Sequence, residues 1–588
     1  MTRRGLLMAA AAPRQEGPLL LNGRLASLRE AVRQEGSTHG LAWRQMLARL
    51  EDERHWFSRN SGNWNYGRSG RAQAAALAYQ ISGDAKWGRL AYQSLRDIHA
   101  DPDPDGRLPE SGYGLSRAAV GAGFAYAWNW ARSAWREAER SEIRARIEAA
   151  LAAWPAYDHP NLGHTRGSNW VAVCRGGELI LRLCAGSADR IGFLEQELLA
   201  HVENGYDSLG VTQEGIGYCG YAASYLLQAA LVSRAAGRGA LFEAVARKAF
   251  WRQLMYAGAL SIKRNPPQRL FLMSGVGGPA INDEGFASMA IPFVPRDELS
   301  GFLWWFDRHA GRMSEGAPLH RFDWQRGGGM WTLLAYPFGA EGREPQPPLR
   351  AVSGEHGTCF FRDRWRDSDD LQISLTADSR WHSHAWDQPE TLQIGLLAGG
   401  CVFFGGPNKE TTPERFSTLL IDGRMAPRRP PARGRLLAFE PSGRGGFAEA
   451  SGGESHPARR QLLVDFDPGE GALFSTLDTL EAGGEHELTW QAWLGALPET
   501  QPSFRMDGER SFTLAAPSGF RIKGWIMTPG ARIEPGLTLR IRARGVSPQI
   551  WIVFAANDTA APETAAGSFT LGARRLRVTD GRIRMERL

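Results

Sequence analysis

The sequence predicts an α+β protein in two parts, an N-terminal (α/α) toroid followed by a C-terminal antiparallel β-sandwich. Three observations lead there. Apolar residues recur at helical spacing over residues 20–345, alternating runs broken by turn pairs fill 346–588, and the stretch Pro345-Gln346-Pro347-Pro348 separates them. A chain of 588 residues is too long for one compact core. Its 43% hydrophobic and 22% charged residues are the balance of a globular chain rather than a disordered one. No apolar run approaches the roughly 18 residues of a membrane span.

Residues 1–19 carry Thr2-Arg3-Arg4 before Gly5-Leu6-Leu7-Met8 and the alanines Ala9 to Ala12. They read either as a short twin-arginine export signal or as a disordered basic tail. The first reading makes the protein periplasmic or secreted, the second cytoplasmic.

Helical spacing begins at Leu25, Leu28 and Val32 and continues through Trp43, Leu47 and Leu50. Ala74–Tyr79 and Trp87–Leu95 flank Gly83-Asp84 as two helices around a short turn. Ser116–Trp130 forms the next helix. Ile143, Ile147 and Leu151 follow a start near Ser141, a good N-cap residue. Asn169–Leu183, Phe193–Val202, Tyr218–Ala235 and Phe242–Leu260 complete the series. Apolar helices joined by short loops must bury their faces on one another, which suits helical hairpins arranged in a toroid. A solenoid is the competing layout, but no strict sequence period supports it.

Beyond the linker, strands are expected at Asp370–Ala377, Thr391–Leu397, Val402–Phe404, Ser417–Ile421, Gln461–Phe466, His486–Leu494, Ser511–Leu514, Leu537–Ile541, Ile550–Phe554 and Arg574–Val578. Asp422-Gly423, Asp507-Gly508 and Asp580-Gly581 are their turn signals. Short strands without intervening helices imply antiparallel pairing.

The formal net charge of +6 favours anionic partners. No nucleic-acid fingerprint accompanies it, so an acidic small molecule or polysaccharide fits at least as well as DNA or RNA. The five cysteines form no CxxC pair, which argues against a structural zinc site or a disulfide framework. The 21 Trp are enough to serve both cores and sugar-stacking surfaces. Asp101-Pro102-Asp103-Pro104-Asp105-Gly106 reads as a solvated turn, because its prolines and missing distal glutamate do not fit a calcium loop.

Four segments carry the chemistry. They are Thr165-Arg166-Gly167-Ser168-Asn169-Trp170 with Val171-Ala172-Val173-Cys174-Arg175-Gly176-Gly177, Gln213-Glu214-Gly215-Ile216-Gly217-Tyr218-Cys219-Gly220-Tyr221, Trp381-His382-Ser383-His384-Ala385-Trp386-Asp387, and Phe416-Ser417-Thr418-Leu419-Leu420-Ile421-Asp422-Gly423. Each has a plain structural reading. Asn169 can cap a helix, Tyr218, Tyr221 and Tyr225 are spaced as a core stripe, and Trp170 and Trp386 can simply pack.

In this order the segments resemble the heparinase II/III-like polysaccharide lyases, over a span from about residue 20 to at least 425. The resemblance implies a toroid joined to a β-sandwich, with the site between them. It also implies β-elimination on a uronic-acid polysaccharide or oligosaccharide. Asn169 would neutralise the substrate carboxylate, Tyr221 or Tyr218 would act as base and acid, and His382 would assist from the β half. The weakly acidic proton beside the carboxylate needs such donors, and a tyrosine must be activated to remove it. Arg117, Trp170, Glu214, His384 and Trp386 are the expected substrate contacts. His384 matches one metal-ligand position of some relatives. The aspartate expected around Phe403-Phe404-Gly405-Gly406 is missing, and Phe416 stands where a histidine would, so no metal and no cofactor is expected. Two other readings stay open. One is a glycoside hydrolase using Glu214 with Asp283 or Glu284, and the other is a non-catalytic glycan-binding protein. Oligomeric state is not legible.

Overall fold

The computed structural model describes residues 18–52, 64–98, 115–154, 167–212, 214–261, 268–271, 280–281, 284–309, 330–345, 349–352, 355–364, 370–379, 390–407, 412–427, 433–496, 500–557 and 560–588. Helices come first and antiparallel sheets follow. The helices are α1 (Leu25–Ala31), α2 (Thr38–Glu51), α3 (Trp64–Ser82), α4 (Ala85–Arg96), α5 (Ser116–Ala131), α6 (Glu137–Ala153), α7 (Asn169–Ala185), α8 (Ile191–Gly205), α9 (Gly215–Ala235), α10 (Ala240–Ala246), α11 (Phe250–Ala257), α12 (Glu284–Ala290), α13 (Arg296–His309) and α14 (Met330–Ala335).

Local chemistry sets several of their ends. Asp84 caps α4 by accepting the Lys86 N–H, at 2.9 Å. Ser168 caps α7, so Asn169 is its first residue rather than its cap, and Gly186 ends that helix in the left-handed conformation at φ 77°. Packing then orders the helices. α3 contacts α5, α5 contacts α7, α7 contacts α9, α9 contacts α12, α12 contacts α14, α14 contacts α2, and α2 returns to α3.

Four of these helices run parallel. Ser69 and Gln80 of α3 bond the Ala119 and Trp130 carbonyls of α5, so both chains advance together. Gly121 of α5 lies near Leu181 of α7, and Gly176 of α7 lies on Tyr225 of α9. The N-termini of α3, α5, α7 and α9 therefore share one end of the helical part. The crossing of α5 and α7 is tight, since a Cβ on Gly177 would stand 2.6 Å from Ala118 Cβ and 2.7 Å from its Cα. Gly177→Ala is expected to lower stability by about 1–3 kcal/mol through this overpacking. An unchanged urea midpoint would contradict the close crossing.

The expected helix over 242–260 is not continuous. It divides into α10 and α11 and then turns into a strand, β1 (Gly258–Ser261), which pairs with β2 (Gln268–Phe271), itself paired with β3 (Ala280–Ile281). Lys248 is nearly buried between the two helices and donates to the Tyr206 carbonyl at 3.1 Å. Helical spacing cannot reveal β1, because its hydrogen-bond partners come from later in the chain.

The second half opens with a five-stranded meander of β4 (Leu349–Val352), β5 (Thr358–Arg362), β6 (Gln372–Thr376), β7 (Gln393–Ala398) and β8 (Cys401–Phe404). Phe360 of β5 belongs to the helical core, while Cys359 and Phe361 point into the core shared by the sheets. An eight-stranded sheet packs its inner face, including Phe474, Phe512 and Phe554, against this meander and a four-stranded sheet that supplies Trp490 and Ile541. Its outer face, with Leu473, Leu477 and Val553, is covered by a last sheet carrying Phe569, Leu576 and Ile583. Asp580 and Gly581, both at positive φ (52° and 71°), make the two-residue hairpin of that sheet. Asp507-Gly508 is not the expected turn. The register shifts between Met506 and Gly508, Gly508 pairs with Ser511, and the chain reverses at Glu509-Arg510.

Candidate active site

Asn169 opens α7 at the end of the helical part where the N-termini of α3, α5, α7 and α9 gather. Its neighbour there is Glu214, just before α9. Glu214 Oε2 accepts the Asn169 backbone N–H at 2.7 Å, and Oε1 accepts the side-chain Nδ2–H at 3.0 Å. Both residues are buried. A carboxylate at this point also meets the positive end of the α7 dipole. One amide N–H of Asn169 is thereby engaged, while its Oδ1 is buried without a hydrogen-bond partner among the described residues.

The same face of α9 carries the tyrosines. Glu214, Tyr218, Tyr221 and Tyr225 follow at i, i+4, i+7 and i+11, one stripe along a helix. Tyr225 meets Tyr221 edge-on at 5.8 Å, and both pack with Ala118, Ala119 and Val173 of α5 and α7. Because Gly176 lies on Tyr225 and the helices are parallel, the residues two turns earlier, Asn169 and Tyr218, are level with each other. Tyr218 and Tyr221 are half-buried. Trp170 is half-buried as well and packs, like Leu115, on Val171 and Cys174, while Leu115 also packs on the cluster that Tyr221 joins.

Arg117 sits deeper than expected for a substrate contact. It is buried, with its guanidinium 5.1 Å from the Trp154 ring centre and Nη1 3.5 Å from the Trp154 carbonyl. Burial lowers its pKa, opposed by Cys174 and Glu178. The structure places it behind the site, between α5 and α7. His382, His384, Trp386 and Asp283 lie outside the described residues, as do residues 1–17, the 101–106 run and 346–348 of the linker. Glu284 opens α12. Phe416 is fully buried, following a short 3-10 turn (Pro413–Arg415). Among the described residues no group of three His, Cys, Asp or Glu could hold a metal ion, and no helix is long and apolar enough to cross a membrane.

Sequence reasoning missed the junction that carries the chain toward Glu214. Asp207 Oδ1 accepts the Leu209 and Val211 N–H groups at 2.9 Å each, closing a turn. Asp207-Ser208-Leu209-Gly210 has the composition of such a turn, and that was the only signal available. The β half grips the turn, with Glu355 accepting the Ser208 N–H at 3.1 Å. Next to Glu355, the buried His356 stands 3.6 Å from Glu390 and faces Asp378 and Asp207. Burial alone would lower the His356 pKa, but Glu390, Asp378 and Asp207 outweigh it and raise it to about 9. Burial raises Asp378 to about 6, with His356 opposing.

Both shifts have the same sign for stability. The His356 contribution is complete below its ordinary value of 6.5 and is lost as pH rises through about 9, while the Asp378 penalty grows as pH rises toward about 6. Urea unfolding should therefore show falling stability between pH 6.5 and 9.5. That slope should flatten in His356→Gln, and an equal slope in the variant would remove His356 as its source.

No protein-family model matches the sequence, and no curated protein matches it. Solved structures do resemble the fold. A heparinase III aligns with a TM-score of 0.55 at 12% identity, covering 90% of this chain and 84% of that one. The fold is a heparinase-like polysaccharide lyase fold. A heparan sulfate lyase HepC mutant from Pedobacter heparinus gives 0.54 at 12% identity, over 96% and 94% of the two chains. Another heparinase III gives 0.53 at 10% identity, over 97% and 98%. At these identities the likeness is one of fold, and it extends through both the helical and the sheet regions.

Proposed function

We propose that the chain is a polysaccharide lyase that cleaves a uronic-acid-containing polysaccharide or oligosaccharide by β-elimination. The observation that carries this reading is Glu214, which ties down Asn169 at the start of the α9 tyrosine stripe, within a heparinase-like fold. In this reading the ring of contacts from α2 through α14 is an α/α toroid, the sheets form the β-sandwich, and the cleft lies at the end where Asn169 sits.

The reaction then divides among the residues as follows. The tyrosine oxygen removes the proton from the carbon beside the uronate carboxylate. The remaining amide N–H of Asn169 donates to that carboxylate as charge builds on it, and His382 adds a donor from the β half. The electron pair forms a carbon–carbon double bond as the glycosidic oxygen leaves. That oxygen takes a proton from the tyrosine, which is thereby restored as a base. Glu214 acts through Asn169, fixing which way the amide faces. Trp170, His384 and Trp386 supply sugar contacts, and Arg117 supports the wall behind. No metal is invoked, and export to the periplasm or outside the cell would bring the enzyme to its polymer.

The test is ultraviolet absorbance of the purified protein with a panel of uronic-acid polysaccharides, with and without a chelator. A rise from unsaturated uronate that persists in chelator is expected. New reducing ends without that absorbance would replace the reading with a hydrolase, and no product beside measurable glycan binding would replace it with a binding protein.

A further inference from the structure

At the other end of the helical part lies a cavity of about 660 Å³, bordered by the last turns of α9 and α14 and by the chain entering α1. Arg234 is thirteen positions beyond Tyr221, so the cavity is about 20 Å along α9 from that tyrosine. Its volume falls within the range of small-molecule sites. Arg24 and Arg234 border it, and among its described lining residues there is no Asp or Glu. The floor is apolar, made by Leu231, Leu334, Trp331 and Pro292.

Each arginine has a partial structural role. Arg24 Nη1 donates to the Leu334 carbonyl at 2.6 Å, satisfying the C-terminal end of α14. Arg234 lies in the last turn of α9 and stacks over the Phe242 ring at 3.7 Å. Among the described residues one donor of the Arg24 guanidinium is hydrogen-bonded, and the Arg234 guanidinium makes no hydrogen bond. Burial, and then Arg234, lowers the Arg24 pKa, so each cation is felt by the other. Burial also lowers Arg234, opposed by the exposed Glu243, which is not part of the cavity wall. No ion pair relieves either charge among the described residues. Two arginines on the wall of one cavity with an apolar floor suit one ligand type, an anionic group on a body with an apolar face.

We infer that this cavity is a second binding site, for a small organic carboxylate such as a sugar acid, separate from the Asn169–Tyr218 site. The carboxylate lies between Arg24 and Arg234, and the ring covers Leu231 and Leu334. The assignment does not depend on the lyase reading, because it rests on other residues and is read by binding alone.

The experiment is calorimetric titration of the full chain with glucuronate, with glucose as the neutral match and sulfate as the bare anion. Glucuronate should bind and glucose should not. Arg24→Gln and Arg234→Gln should each weaken glucuronate roughly tenfold or more. Arg234 is exposed, so its variant tests the site without loss of folding. Any glucuronate held at the Asn169 site would remain bound in both arginine variants. The inference is overturned if glucuronate does not bind or if both arginine variants bind it unchanged. It is also overturned if sulfate binds as tightly as glucuronate, since the apolar floor would then contribute nothing.

Discussion

Tyr218→Phe is expected to lower the turnover of uronate elimination by about 10²–10⁴-fold while leaving polysaccharide affinity nearly unchanged. The change removes one oxygen from a half-buried ring, so packing along α9 is kept and only proton transfer is lost. The expectation comes from register. Gly176 lies on Tyr225 between parallel helices, and stepping back two turns on each places Asn169 beside Tyr218. Tyr221 is one turn further in, packed with Val173, Ala118 and Tyr225. Tyr221→Phe should therefore cost less than about tenfold, since it alters no proton-transfer group at the level of Asn169. Steady-state kinetics with equilibrium binding on both variants decides the matter. Turnover lost in Tyr221→Phe and kept in Tyr218→Phe would move the base one turn inward and refute the register argument. Turnover kept in both would remove tyrosine from the chemistry.

Arg362→Leu is expected to destabilise the protein by about 3–5 kcal/mol. Arg362 is fully buried at the seam between the two halves. Its Nη2 pairs with Asp370 at 2.6 Å, Nε donates to the Arg364 carbonyl at 2.6 Å, and Nη1 donates to the Met255 carbonyl of α11 at 3.3 Å. Removing the guanidinium leaves the fully buried Asp370 carboxylate short of its main counter-charge, and the end of α11 loses a donor. Replacing both partners, as Arg362→Leu with Asp370→Leu, should recover most of the loss, because the desolvated charge is gone. Denaturant unfolding of the single and double variants reads this directly. A single variant within about 1 kcal/mol of the parent would mean that apolar packing, including Phe360 in the helical core, holds the seam without the ion pair.

Much of the architecture was legible because periodicity is a local property. The 3.6-residue spacing of α4 and the two-residue alternation of strands such as Leu537–Ile541 follow from which face each element buries. Asp580-Gly581 was readable for the same reason, since two consecutive positive φ values restrict the residue types that fit. Where partners come from afar, local pattern misled or fell silent. The apolar run ending at Leu260 looked helical until β2 offered it a strand partner, and Asp507-Gly508 resembled a turn until Ser511 drew Gly508 into the ladder. β5 could not be assigned from alternation because both its faces are buried, Phe360 in one core and Phe361 in another.

The candidate site divides in the same way. The sequence by itself determined the order of helices then antiparallel strands, the Asn169 and Glu214 segments and the tyrosine stripe, because each depends on residue type and spacing within single elements. Only the tertiary structure decided that Glu214 reaches back 45 positions to hold Asn169 and that Arg117 is turned inward against Trp154. It alone brought Asp207 to His356 across the seam. These are contacts between elements distant in the chain, set by helix register and by the burial of charge, and neither is encoded in any short stretch of residues.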